Sequence, residues 1–154
     1  MMLYRKILVA IDGSEGSIEA LRNGSEIAKN SGAELTLLHV MHESPLPLYG
    51  GVYPLSVAST SMVREEVIEA EKAEQTHGEE ILHKAQMQVP PEVETRTALL
   101  NGAPSDTICA YAERYNIDLI VIGSRGLTGL KKFVLGSVSQ KVLHDANVPV
   151  LITK

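Results

Sequence analysis

RKILVAIDGSEGSIEALRNGSEIAKNSGAELTLLHV, residues 5–40, holds two short apolar runs separated by a segment of helical spacing. The runs at 5–11 and 33–40 have little polar interruption, as strands covered on both faces do. Between them Ile18, Leu21, Ser25 and Ala28 share one face of a helix. Ser14 stands at the N-cap position, where a hydroxyl can accept from a free amide of the first turn. Gly32 stands where a left-handed C-terminal stop is wanted. Strand, capped helix, strand in this order predicts a parallel pair joined by a right-handed crossover.

The alternation continues to the end of the chain. Further apolar runs lie at 93–100, 118–123 and 148–154. The first of these alternates, with Val93, Thr95, Thr97 and Leu99 against Glu94, Arg96 and Ala98, as a strand at a sheet edge does. Residues 61–87 carry Val63, Val67, Ala70, Ile81, Leu82 and Ala85 opposite a Glu-rich face, with Pro90–Pro91 closing the segment. A third helix is expected over 103–115, with Pro104 in its first turn and Ile108, Tyr111, Ala112 and Tyr115 as its stripe. A fourth, over 137–147, sets Val138, Val142 and either Leu143 or Ala146 on one side. The expectation is a single α/β domain spanning residues 1–154, with a parallel sheet. A long connection at 42–60, containing Pro45, Pro47 and Pro54, follows the second strand and reads as a lid, a partner surface or a disordered segment.

Composition narrows the function classes. At 154 residues, 44% hydrophobic and 21% charged, the chain suits one globular domain with a sizeable core. One cysteine, Cys109, rules out an intramolecular disulfide and fits a reducing compartment. The apolar stretch at residues 7–11 is too short for a signal peptide, and no run approaches the roughly 20 residues of a membrane span. A net charge of −5 opposes nucleic-acid binding. A cytoplasmic protein is expected, with no membrane insertion.

The chemistry gathers at GSRGLTGLKKFVLGSVSQK, residues 123–141. Gly123 and Gly126 can take φ > 0 and let a ligand approach main-chain amides. Gly136-Ser137-Val138-Ser139 opens a helix whose free N–H groups and dipole favour an anion, with two hydroxyl donors beside them. In an open parallel sheet, ligands bind beyond the carboxyl ends of the strands, where Asp12 and Val40 also fall. A carboxylate at Asp12 repels phosphate, so it suits ribose hydroxyls or a cation. Each residue also has a plainer reading: Gly123 as a strand end, Ser137 as a helix cap, Asp12 as a turn residue. The segment has neither the lysine of a P-loop nor a G-x-G-x-x-G, and the chain has no G-x-S-x-G elbow. The acids and lysine of a phosphoacceptor receiver domain are missing too.

Gly123, Gly126, nine residues and Gly136-Ser137 together resemble the G-x2-G-x9-G-[S/T] pattern of ATP-binding universal stress proteins. KILVAID at 6–12, His39-Val40, NGAPSDTI at 101–108, DLIVIGSRG and the closing VPVLITK are similar to that family as well. The resemblance implies a five-stranded sheet of order 3-2-1-4-5 with helices on both faces. It implies ATP, with Mg²⁺ or Mn²⁺, and a homodimer through the C-terminal strand, residues 148–153. Carried over by position, Asp12 and Val40 face adenosine, Val40 through its backbone. Gly123, Arg125, Gly126, Gly136, Ser137, Val138 and Ser139 line the phosphates.

Other reactive residues have quieter readings. Cys109 adjoins an apolar stripe and is expected to be a buried thiol. The histidines at 39, 42, 77, 83 and 144 lack metal-ligand spacing, so no metal held by protein side chains is expected. Tyr49 and Tyr53 could stack on adenine or meet a partner. The functional expectation is a nucleotide-dependent regulatory or stress-response module read by a protein partner. The alternative is a slow ATPase or phosphotransferase using the same pocket, and a third reading is a structural protein whose pocket stays empty. Against the enzyme, no lysine follows the glycines as it does in a P-loop, and no clear general base is aimed at a γ-phosphate.

Overall fold

The computed structural model describes residues 3–42, 61–124 and 134–154. Strand β1 (Lys6–Ala10) is followed by α1 (Glu15–Ser31), β2 (Glu34–Met41), α2 (Ser61–Gln86), β3 (Thr95–Asn101), α3 (Pro104–Arg114), β4 (Leu119–Gly123), α4 (Ser137–Asp145) and β5 (Val150–Thr153). All pairings are parallel, in the order β3-β2-β1-β4-β5. This is the predicted order, with β3 at one edge and β5 at the other.

The crossovers reverse direction after β3, so the helices divide between the faces. Ile7, Val9, Leu35, Leu37 and Val121 pack under α1 and α2, through Ala20, Leu21, Leu82 and Ala85. Leu8, Leu38, Ile120 and Ile122 pack under α3 and α4, through Ile108, Ala112 and Val142. Neighbouring residues of β1, β2 and β4 thus fill opposite cores. That is why these strands are continuously apolar rather than alternating.

Local signals behave as expected at α1. Ser14 caps it by accepting from Ser17 N–H at 3.2 Å, and Gly32 ends it at φ 65°. In α4 the stripe resolves to Val138, Val142 and Ala146, while Leu143 is half-exposed. Helix α2 departs from the expected stripe. Between Arg64 and His77 no side chain is buried: Val67 is half-covered and Ala70 exposed. A helix of 26 residues is about 39 Å long, whereas a strand of eight residues such as β2 spans about 26 Å. The sheet therefore supports only the C-terminal half, from Gly78 through Leu82 to Ala85. The side chain of Val63 and the connection at 43–60, with Tyr49 and Tyr53, lie outside the described residues.

Cys109 on α3 is half-buried against the second core rather than fully enclosed. Burial, and then the carboxylates of Asp145, Asp106 and Glu113, push its thiol above the usual range. A raised pKa means less thiolate at a given pH. At pH 8 the folded protein should react with iodoacetamide more slowly than the urea-unfolded chain, as mass spectrometry would read. Equal rates would contradict this environment.

Candidate functional site

Between β1 and β4 the chain changes its direction of travel across the sheet, and the carboxyl ends of these strands splay around a cavity of about 350 Å³. This is where the topology of an open α/β sheet places a ligand crevice. Leu38, Val40, Ile108 and Ile122 supply apolar lining, and Asp12, Ser14 and Ser17 line the side of the β1–α1 turn. Gly136, Ser137, Val138 and Ser139 bring the N-terminus of α4 to the same cavity.

Each wall has a local cause. Asp12 Oδ1 accepts from Ser14 N–H at 2.9 Å and from the Ser14 hydroxyl, closing a tight turn. Oδ2 has no hydrogen-bond partner among the described residues. Gly13 carries the turn at φ 83°, a conformation that side-chain-bearing residues rarely adopt. Ser124, just past β4, donates its N–H to Thr153 O and accepts Gly136 N–H, both at 2.8 Å, so it anchors α4 to the end of the sheet. The first amide of α4 with an intrahelical acceptor is Gln140 N–H, bonded to Gly136 O at 2.9 Å. The amides of Ser137, Val138 and Ser139 precede it and have no acceptor among the described residues. Among the described residues no side chain caps this end. Three donors with no acceptor among the described residues, at the positive end of a helix, suit an anion.

The model of the universal stress protein family matches residues 3–154. The chain belongs to that family. YxiE of Bacillus subtilis, a universal stress protein, is 38% identical over 154 residues, covering 99% of this chain and 100% of its own. Among solved structures, universal stress protein UspA from Lactobacillus plantarum matches with a TM-score of 0.79 at 27% identity, over 98% of each chain. A universal stress protein from Archaeoglobus fulgidus, solved in complex with dAMP, is similar at 28% identity and a TM-score of 0.57. The match covers 99% of this chain and 100% of that one.

In this universal stress protein, Asp12, Val40, Gly123, Gly136, Ser137, Val138 and Ser139 all line the one cavity. Arg125 and Gly126 lie outside the described residues. Three details differ from the sequence reading. Gly123 does not take a positive φ, since it is the last residue of β4 and pairs with Thr153. Its lack of a side chain serves packing: a Cβ there would lie 2.6 Å from the carbonyl carbon and oxygen of Gly16 in α1. The cap of α4 is Gly136, not Ser137, which is the first helical residue. The Ser139 hydroxyl donates to Gly136 O at 3.0 Å, leaving its amide as the free donor.

Gly13, Ser124, His39, His42 and Pro104 went unassigned as site residues in the sequence. Of these, Gly13 carried a readable signal in the Asp-Gly pair that ends the first run. A larger, shallower depression of about 580 Å³ lies between α2 and the β2–β3 edge, lined among others by Gln75, Glu79, His83 and Asn101. It lies away from the switch point and the α4 amides. No cluster of three metal-ligating side chains occurs among the described residues, and no described helix is long and apolar enough to cross a membrane.

Proposed function

We propose that this universal stress protein binds an adenine nucleotide, ATP with Mg²⁺ or Mn²⁺, in the switch-point cavity. It acts there as a nucleotide-dependent regulatory module of the cytoplasm. The observation that carries the reading is the meeting, in one cavity, of a carboxylate oxygen at Asp12 and three amides at the start of α4 that have no partner among the described residues. Those two features ask for opposite things. The carboxylate accepts hydrogen bonds from hydroxyls, and the amides donate to an anion, so a ligand spanning both carries a sugar and a phosphate. The Archaeoglobus fulgidus relative, solved with dAMP, supports the class of ligand.

Gly123, Gly136, Ser137, Val138 and Ser139 form the phosphate side of this reading, completed by Arg125 and Gly126, and Val40 meets adenine through its backbone. One lining carboxylate fits a divalent cation held mainly by the phosphates, the usual arrangement for Mg²⁺. The ion would supply charge neutralisation there. Asp12, His39 and His42 are the titratable lining residues among those described, and a binding module requires no more. β5 is an edge strand with half-buried Leu151 and Ile152, which suits pairing with a second copy across a two-fold axis. Denaturing freshly purified protein and identifying any released nucleotide by mass spectrometry tests the reading. Recovery of ATP is expected. No recovered nucleotide, followed by no binding on titration with ATP and Mg²⁺ up to about 1 mM, would reject it.

A further inference from the structure

The end of β2 shows an exchange of hydrogen-bond partners that bears on the adenine side of the cavity. In a parallel ladder, the N–H and C=O of one residue point to the same neighbour, and alternate residues serve alternate neighbours. Leu38 O accepts Ile11 N–H at 2.8 Å, so even-numbered residues of β2 serve β1. Leu35 N–H and Met41 O bond towards the β3 side, to Glu94 O and Gly102 N–H, so odd-numbered residues serve β3. Val40 is therefore the next residue of β2 to address β1, and the regular partner for its N–H would be Ile11 O.

That bond is not made. Ile11 O instead lies 2.6 Å from His39 Nδ1. A carbonyl oxygen only accepts, so Nδ1 carries the proton and donates. The ring lies on the face of α2, where Gly78 makes room: a Cβ at Gly78 would come within 3.1 Å of His39 Cδ2. Among the described residues, Val40 N–H is left without a backbone partner, and Val40 lines the cavity.

We infer that His39 is a positioning residue, whose ring bonds Ile11 O in place of the Val40 amide and holds that amide out of the ladder, leaving the Val40 main chain open for the ligand's base. The inference rests on the nucleotide reading for its ligand, but the hydrogen-bond exchange itself can be read without one. Replacing His39 with leucine keeps the volume and removes the donor, leaving Ile11 O without a partner until Val40 N–H takes up the regular ladder bond. His39→Asn keeps an N–H close to the Nδ1 position.

Amide hydrogen exchange by NMR, without nucleotide, should find Val40 N–H unprotected in the wild type and in His39→Asn, and protected in His39→Leu. In the same proteins, ATP affinity should fall about tenfold in His39→Leu and recover in His39→Asn, the worth of one hydrogen-bond pair. Affinity for inorganic tripolyphosphate, which has no base, should stay the same in all three. Protection of Val40 N–H in the wild type overturns the inference even if His39→Leu fails to fold. Equal losses for ATP and tripolyphosphate overturn it as well, since they would mean general damage to the site. A wild type that binds neither ligand rejects the nucleotide reading, while Val40 exchange still decides the role of His39.

Discussion

Gly136→Val should lower ATP affinity about a hundredfold or more, the worth of two to three charge-assisted hydrogen bonds, yet leave the protein folded. The protein's own packing does not demand glycine at this position. Gly136 has φ −60° and ψ 157°, which any residue adopts. A Cβ there would meet Ser124 O at 3.5 Å and Ser139 Oγ at 3.6 Å, ordinary contacts. What valine would add is two methyl groups beside the amides of Ser137, Val138 and Ser139, which have no acceptor among the described residues and where an anion would sit. Exchanging a tolerable cap for a β-branched one costs about 1 kcal/mol, or about 2–4 °C in Tm for a domain of this size. Calorimetric titration with ATP and a thermal scan on the same sample separate the two effects. Parent-like affinity would remove the phosphate cradle from consideration.

Gly123, the first glycine of the same motif, should behave in the opposite way. Gly123→Ala is expected to destabilise the fold by about 3 kcal/mol, the upper part of the range for overpacking. Its Cβ would press to 2.6 Å against the main chain of Gly16, in the first turn of α1, which has no side chain to rotate away. Relief would require α1 to lift from β4, moving Ser14 and the Asp12 turn with it. The denaturation midpoint in urea would report the loss, and any weakening of nucleotide binding would follow from the displaced turn. An unfolding free energy within about 0.5 kcal/mol of the parent's would mean that α1 and β4 are not so closely packed. The two glycines of one sequence motif thus separate on structural grounds: a side chain at Gly123 meets the main chain of Gly16, whereas one at Gly136 meets only ordinary contacts.

Much of the site was legible because its signals are local. An Asp directly after an apolar run, a Gly-Ser pair before a helical stripe and a glycine at a strand end each state a backbone requirement in their own neighbourhood. The long face assigned to α2 was misread for the matching reason: periodicity tells which residues align along a helix, but not how far a sheet extends beneath them. Ala70 and Leu82 belong to one helix by sequence, and only Leu82 finds a core. His39 was passed over because its function depends on a carbonyl 28 positions away, a distance at which sequence patterns carry no register.

By itself, then, the sequence determined the alternation of strands and helices, the caps of α1 and the set of residues from which a nucleotide site would be drawn. Those follow from side-chain periodicity and backbone preference, which act over a few residues. The tertiary structure alone decided that Gly123 serves packing against Gly16, that Gly136 caps α4, and that His39 rather than Val40 holds Ile11 O. These depend on which main-chain atoms from distant segments come within hydrogen-bonding or contact distance, and only the packing of helices on the sheet sets that.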